Sequence, residues 1–404
     1  MGNCCSNADR SPDNYKKNTI TSDEDQEIVR FFMVGMGSAG KSTIIKQLQK
    51  LCHLRPGDYQ MYDDEWQPIT HSFKEHELLR WRKIIRRNII DALHILYKQA
   101  ENWGQALIDT EAKDFADYIF TAEGIAPNWE QEEDLGKKLL AFFNDNTIQD
   151  TYDKRAQMTG ELQITDGTLY FLNEPKIRQV FLQTYSPTDD DILHARDPTT
   201  GITDYRFSIN DMKVMIHDIG GQKVERAKTV NYINNWVSAD RQNYRNFILY
   251  VVSMPEYNIQ HPVHVGLTLF DESLKMLELI MELQPVQNCG VMIFLNKEDI
   301  FKDKMQRCKD LPEVRRETIK YLGKYMDKGD RERLQNTGEY NYKSMRKCLA
   351  SKVAHVATSD KLKRNKGTYH KYTCAVDSKL MDTLFGAIRN EITTAIVDQA
   401  SWIP

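Results

Sequence analysis

Apolar and polar positions divide the chain into segments before any motif is considered. After a polar and charged opening through residue 27, with Pro12 inside it, the text becomes IVRFFMVGMGSAGKSTIIKQLQKL. A short apolar run, a glycine-rich turn and then Ile44, Ile45, Leu48 and Leu51 at helical spacing predict strand, loop and helix. Residues 58–190 carry mostly helical signals. The clearest is a single stripe formed by Leu78, Trp81, Ile85, Ile89, Ala92, Leu93, Leu96 and Ala100, and no strand alternation of comparable strength accompanies it. Strand-like runs return at Tyr205 to Ile209, Lys213 to His217, Phe247 to Val252, Val291 to Leu295 and Tyr372 to Ala375, with helical segments between them. Strands alternating with helices predict an α/β fold with a parallel-rich sheet covered on both faces, interrupted by an all-helical insertion. The expected division is a polar N-terminal segment over 1–27, a core domain over 28–57 and 191–404, and a helical insert over 58–190.

Composition narrows the class. The 404 residues are 41% hydrophobic, enough to bury a full core, and 54 Lys+Arg against 58 Asp+Glu leave a net charge of -4. That balance excludes a polybasic nucleic-acid arm, and no nucleic-acid partner is expected. No apolar run approaches the roughly 20 residues needed to cross a bilayer. Seven cysteines, scattered without a CxxC and without a secretory leader before them, predict a reduced, intracellular chain. The opening MGNCCS places Gly2 and Ser6 in the myristoylation pattern, with Cys4 and Cys5 beside it as thioester acceptors. One acyl chain holds a protein on a membrane only reversibly, whereas two anchor it. The expected location is therefore the cytoplasmic face of a membrane, the plasma membrane first.

The chemistry begins at the glycine-rich turn. Gly35, Met36, Gly37, Ser38, Ala39, Gly40, Lys41 and Ser42 satisfy the P-loop pattern, in which backbone N–H groups close around phosphates at a helix N-terminus. Lys41 is expected to reach the outer phosphates and the Ser42 hydroxyl to ligate Mg²⁺. Asn296, Lys297, Glu298 and Asp299 follow the apolar run Val291 to Leu295, at the carboxyl end of a strand, where open α/β sheets bind ligands. A carboxylate there can accept from both N1–H and the 2-amino group of guanine, and adenine offers no such pair. Cys374 and Ala375 end the last strand-like run, where the Ala375 N–H could donate to guanine O6; the same residues also suit a plain buried strand end. Asp218 follows another strand and can hold Mg²⁺ through water, Gly221 can offer its N–H to a terminal phosphate, and Gln222 can orient an attacking water. Arg196 and Thr199 supply a cation for charge developing on the phosphoryl group and a third oxygen for Mg²⁺.

The motifs GMGSAGKST, RDPTTGI, DIGGQKVER, FLNKED and TCAVDS, in this order, resemble those of heterotrimeric G protein alpha subunits over most of the chain. The 155 residues from Lys41 to Arg196 leave room for that family's inserted helical domain. The resemblance implies a Ras-like P-loop GTPase domain, GTP/GDP and Mg²⁺ as ligands, and slow GTP hydrolysis with Arg196 as a built-in arginine finger and Gln222 beside it. It adds Thr43 and Leu193 to the nucleotide contacts. It also implies a beta-gamma dimer, a membrane receptor and a downstream effector as partners. Departures are Ser38-Ala39 where the family has Glu-Ser, Thr229 where a tryptophan is usual, and Pro12 in the short segment that would hold beta-gamma. Lys302 to Lys371 carries 20 Lys+Arg against 9 Asp+Glu and is read as a solvated face. A nucleotide-dependent scaffold without useful turnover is the alternative; retention of Arg196 and Gln222 favours the GTPase. If lipids anchor the chain, Gly2→Ala is expected to move it from membranes to the soluble fraction of fractionated cells.

Overall fold

The computed structural model describes residues 28–70, 73–121, 124–155, 158, 162–199, 201–221, 223–237, 244–261, 263–264, 266–358 and 368–400. Gly2, Cys4, Cys5 and Gln222 lie outside the described residues, so nothing structural bears on their expected roles. In chain order the elements begin with β1 (Ile28–Gly35), α1 (Lys41–Leu54), β2 (Tyr59–Tyr62), β3 (Pro68–Ile69), α2 (Glu75–Asn102), α3 (Thr110–Ile119), β4 (Phe120–Thr121) and β5 (Gly124–Ile125). Next come α4 (Leu135–Phe143), α5 (Asn146–Asp153), α6 (Asp166–Leu169), α7 (Glu174–Val180), α8 (Asp189–His194), β6 (Ile202–Ile209), β7 (Met212–Ile219), α9 (Lys223–Val237) and β8 (Tyr244–Ser253). The chain continues through α10 (Leu269–Met281), β9 (Gly290–Asn296), α11 (Glu298–Asp310), α12 (Pro312–Leu322), α13 (Lys328–Thr337), α14 (Tyr342–Ala357), β10 (Thr368–Tyr372) and α15 (Ser378–Ala400).

Eight strands form one sheet in the order β10-β9-β8-β1-β7-β6-β2-β3. From β10 to β7 every pairing is parallel, and β6, β2 and β3 then continue antiparallel. Central strands covered on both faces read as continuous apolar text, which is why β1 and β8 were legible. Apolar side chains of α10, α11 and α14 fill one face of the sheet, and those of α1 and α15 fill the other. Because the parallel strands all end on the same side, their following loops meet there, and the motifs gather at that edge.

Two expectations need correction. The stretch from residue 58 is not helical at its start: β2 pairs with β6 and β3 with β2, so residues 59–69 extend the main sheet. A second short hairpin, β4 with β5, lies between α3 and α4. Strands of two to four residues are too short to display a period. The last strand is also displaced: β10 covers the polar run Thr368–Tyr372, and Tyr372 pairs with Leu295. Thr373, Cys374 and Ala375 are buried as a loop and not as strand. An edge strand has one neighbour and one covered face, so its own sequence is polar; the apolar text marks the turn beneath the site.

Helices α2 to α7 enclose a core of their own. The stripe predicted on α2 is its buried face, from Trp81 through Ile85, Ile89, Leu93 and Leu96 to Ala100. The Glu77 carboxylate accepts from the Lys74 N–H at 2.8 Å and closes the first turn. Phe120 and Phe142 meet edge to face across the interior, centroids 5.4 Å apart. Leu93 sits in this core with 0% exposure. Leu93→Ala is expected to lower unfolding stability by about 2–5 kcal/mol in a denaturant titration, because the cavity cannot fully collapse.

Candidate functional site

The glycine-rich turn joins β1 to α1. Gly35 closes the strand, Met36 and Ala39 are buried, Gly37 is half-buried, and Ser38 stands exposed at φ 64. Gly40, at φ 99, caps α1, and a Cβ there would collide with the Asn296 side chain. Glycine is thus required both for the backbone angle and for the approach of a second loop. Lys41 and Ser42 open the helix and Thr43 follows half-buried. Lys41, expected to reach the outer phosphates, is buried, and its ammonium has partners within the loop. It donates to the carbonyl oxygens of Gly35 at 2.8 Å and Met36 at 3.1 Å, folded onto the loop itself. Gly221 packs against this loop so closely that a Cβ would strike the Lys41 amine and stand 2.8 Å from the Gly37 nitrogen.

Beside Lys41 lies a cluster of oxygens. Ser42 Oγ is 2.6 Å from Thr199 Oγ1 and donates to Asp218 Oδ2 at 3.2 Å. Asp218 is 1% exposed, and its other oxygen, Oδ1, is buried without a hydrogen-bond partner. Burial raises the Asp218 pKa to about 6, against the pull of the Lys41 charge and the Ser42 hydroxyl. A buried carboxylate with an orphaned oxygen and two hydroxyls alongside is an all-oxygen donor set that suits a hard divalent cation such as Mg²⁺. Residues from three separate elements supply it: α1, the strap before β6, and β7.

At the end of β9, Asn296 is the centre of a second cluster. Its Nδ2 donates to the Ala39 carbonyl at 2.9 Å, while Oδ1 accepts from Thr373 Oγ1 at 2.9 Å and from the Ala375 N–H at 3.1 Å. The Ala375 N–H, expected to face a base oxygen, is therefore engaged by Asn296. Lys297 turns the chain at φ 63 and pairs with Asp166 of the insert at 2.6 Å. Burial opposes its charge, but the Asp166 and Glu256 carboxylates outweigh burial and raise its pKa. Asp299 stands exposed in the first turn of α11 beside the Cys374 thiol, which burial and that carboxylate push up to about 12. Its neighbour Glu298 turns the other way, accepting from Arg346 at 2.6 Å and Tyr342 at 3.2 Å on α14. Of the two carboxylates, Glu298 is thus engaged on α14, and Asp299 lies beside Cys374.

Arg196 is exposed, on the strap that leads from α8 to β6, and Leu193 is buried in α8 three residues earlier. Sequence reasoning missed what holds this strap. The Lys46 amine donates to the carbonyls of Ile192 at 3.0 Å and Ala195 at 2.8 Å, over the Trp81 ring. Burial lowers its pKa to about 8, opposed by Asp197. Asn88 and Asp166, both on the insert, also contact the site's loops. Asn88 sits on the polar side of a helix read only for its apolar stripe, and nothing in the text singles it out. The histidines at 261 and 264 stack, and His261 meets Glu272 at 3.2 Å; no group of three or more His, Cys, Asp or Glu side chains placed to hold a metal occurs among the described residues.

A family model for the G-protein alpha subunit matches residues 6–392. The chain belongs to the G-protein alpha subunit family. It is 28% identical over 371 residues to the guanine nucleotide-binding protein alpha-6 subunit of Dictyostelium discoideum, covering 92% of this chain and 91% of that relative. It is 23% identical over 380 residues to the guanine nucleotide-binding protein subunit alpha-15 of Mus musculus, covering 93% and 89%. The fold is accordingly the Ras-like GTPase domain with the helical domain of G-protein alpha subunits, and the sheet and insert described above are its two parts. Of this alpha subunit's expected site residues, the structure brings together Gly35 through Thr43, Thr199, Asp218, Gly221, Asn296, Lys297, Cys374 and Ala375. No helix among the described residues is long and apolar enough to cross a membrane. If Asp299 is the base acceptor that the sequence leads one to expect, Asp299→Asn weakens GTP and improves XTP in competition binding, xanthine carrying an oxygen where guanine carries its amino group.

Proposed function

We propose that the chain is a guanine-nucleotide-binding signalling switch that holds GTP or GDP with Mg²⁺ and slowly hydrolyses GTP. The observation that carries this reading is the oxygen cluster in which half-buried Ser42 and Thr199 meet buried Asp218, beginning one residue after the P-loop lysine and with one Asp218 oxygen unpartnered. Ser42, Thr199 and Asp218 would hold Mg²⁺, which, when bound, neutralises charge on the phosphate oxygens. Lys41 exchanges its carbonyl partners for phosphate oxygens, an ammonium being better matched by an anion than by a peptide oxygen. The N–H of Gly221 faces the terminal phosphate. Asn296 and Lys297 set the base loop, and Asp299 selects guanine by a pair of accepted hydrogen bonds. A polar site of this kind rejects bases that leave it unpaired.

Hydrolysis requires water to attack the terminal phosphorus as the bond to the bridging oxygen breaks. Gln222 orients the water and Arg196 offers its guanidinium to the charge that spreads over the transferred group. Both act on the transition state more than on bound GTP, so they govern rate and not affinity. Partners in this reading are a receptor that speeds exchange, an effector that reads the GTP form and a beta-gamma dimer that takes the GDP form. The lipids on Gly2, Cys4 and Cys5 hold the chain at the cytoplasmic face of the plasma membrane. Single-turnover GTP hydrolysis by purified protein is the test. Arg196→Ala and Gln222→Leu are expected to retain GTP but slow its hydrolysis, the arginine by on the order of 10³ or more, as arginine fingers do in this enzyme class. Unchanged rates in both variants would remove the hydrolytic assignment.

A further inference from the structure

The strap that bears Arg196 is gripped from two sides. On the side of α1, Lys46 holds the carbonyls of Ile192 and Ala195. On the side of the helical insert, Asn88 of α2 takes both polar groups of Arg196 itself. The Arg196 N–H donates to Asn88 Oδ1 at 2.7 Å, and Asn88 Nδ2 donates to the Arg196 carbonyl at 3.0 Å. Arg80, about two turns earlier on α2, pairs with Asp197.

A side-chain amide sets an N–H donor beside a carbonyl acceptor, so Asn88 binds both main-chain groups of Arg196 the way a neighbouring strand would. The main chain at residue 196 is thereby fixed. Its side chain is not enclosed: the residue is exposed, and its charge reaches Asp91, one turn along α2 from Asn88. A long cation contributes to a transition state only if its root is stationary, since a misplacement of about 1 Å can cost about 100-fold in rate.

We propose that Asn88 is the positioning residue for Arg196, so that hydrolysis depends on α2 being seated on the strap. This rests on the reading of Arg196 as the transition-state cation. The geometry makes the insert part of the catalytic apparatus through one amide. An insert that moves away carries Asn88 with it and leaves the arginine's root held from the α1 side alone, by Lys46 on the preceding carbonyl.

The test is a double-mutant cycle on the full chain: single-turnover GTP hydrolysis by the parent, Asn88→Ala, Arg196→Ala and the double variant, with GDP release followed by a fluorescent analogue. Asn88→Ala is expected to slow hydrolysis by about 10- to 100-fold in the parent and by less than about 2-fold in the Arg196→Ala background. GDP release is expected to change less than about 2-fold, the single-cleft contacts of Lys297 with Asp166 and Arg80 with Asp197 being retained. Equal slowing in both backgrounds overturns the proposal, as does no slowing in the parent. Quickened GDP release with equal slowing overturns it too, by showing that Asn88 only keeps the insert closed. Asn88→Asp keeps the acceptor for the Arg196 N–H but sets a carboxylate against its carbonyl. It repeats the cycle with nearly native volume should Asn88→Ala fail to fold. A parent-like rate in Arg196→Ala is a separate result that removes the arginine assignment, and the positioning role with it.

Discussion

Asn296 is the contact on which the site's assembly depends. It is 1% exposed, and a buried amide left unpaired would cost on the order of 1–3 kcal/mol for each lost partner. It meets that demand by reaching to Ala39 on one side and to Thr373 and Ala375 on the other. Three loops, after β1, β9 and β10, are thereby tied to one side chain. Gly40 has no side chain at the place where this amide crosses, so the P-loop glycine and the base-loop asparagine impose each other. A change at either position disturbs both.

The rest of the site is arranged by charge placed where water is scarce. Asp218 sits beneath the P-loop, where burial makes its negative charge costlier to hold and raises its pKa to about 6. Lys297 is nearly its converse, a mostly buried ammonium kept charged by Asp166 and Glu256. The Lys297–Asp166 pair crosses from the sheet domain to the insert at 2.6 Å, and so does the hold of Asn88 on Arg196. Two of the contacts between the sheet and the insert thus fall on residues of the candidate site. Each of these contacts joins the insert to one loop of the candidate site.

Parts of this were legible in the text and parts were not, for identifiable reasons. The P-loop could be read because its function is performed by backbone and by residues adjacent in sequence. The apolar stripe of α2 was legible because a long amphipathic helix repeats its signal many times. β2 and β3 were missed, since four residues and two residues hold no period and their place is decided by β6 some 145 positions later. β10 was misplaced toward Ala375 because burial under Asn296 gives a loop the apolar character of a strand. That the Lys41 amine donates to the Gly35 and Met36 carbonyls lies outside what its motif states.

The sequence by itself determined the family, the order of the motifs, and the fact that strands would present them at one edge of a parallel-rich sheet. These follow from local pattern: hydrophobic period, glycine where the backbone must turn, and oxygen-bearing residues at strand ends. Tertiary structure alone decided that Glu298 turns to Arg346 and Tyr342, that Ala375 gives its N–H to Asn296, and that Asn88 holds Arg196. Each of those is a pairing between groups far apart in sequence. A hydrogen bond is fixed by the distance and direction between two atoms, and no residue's own neighbourhood in the chain contains that information.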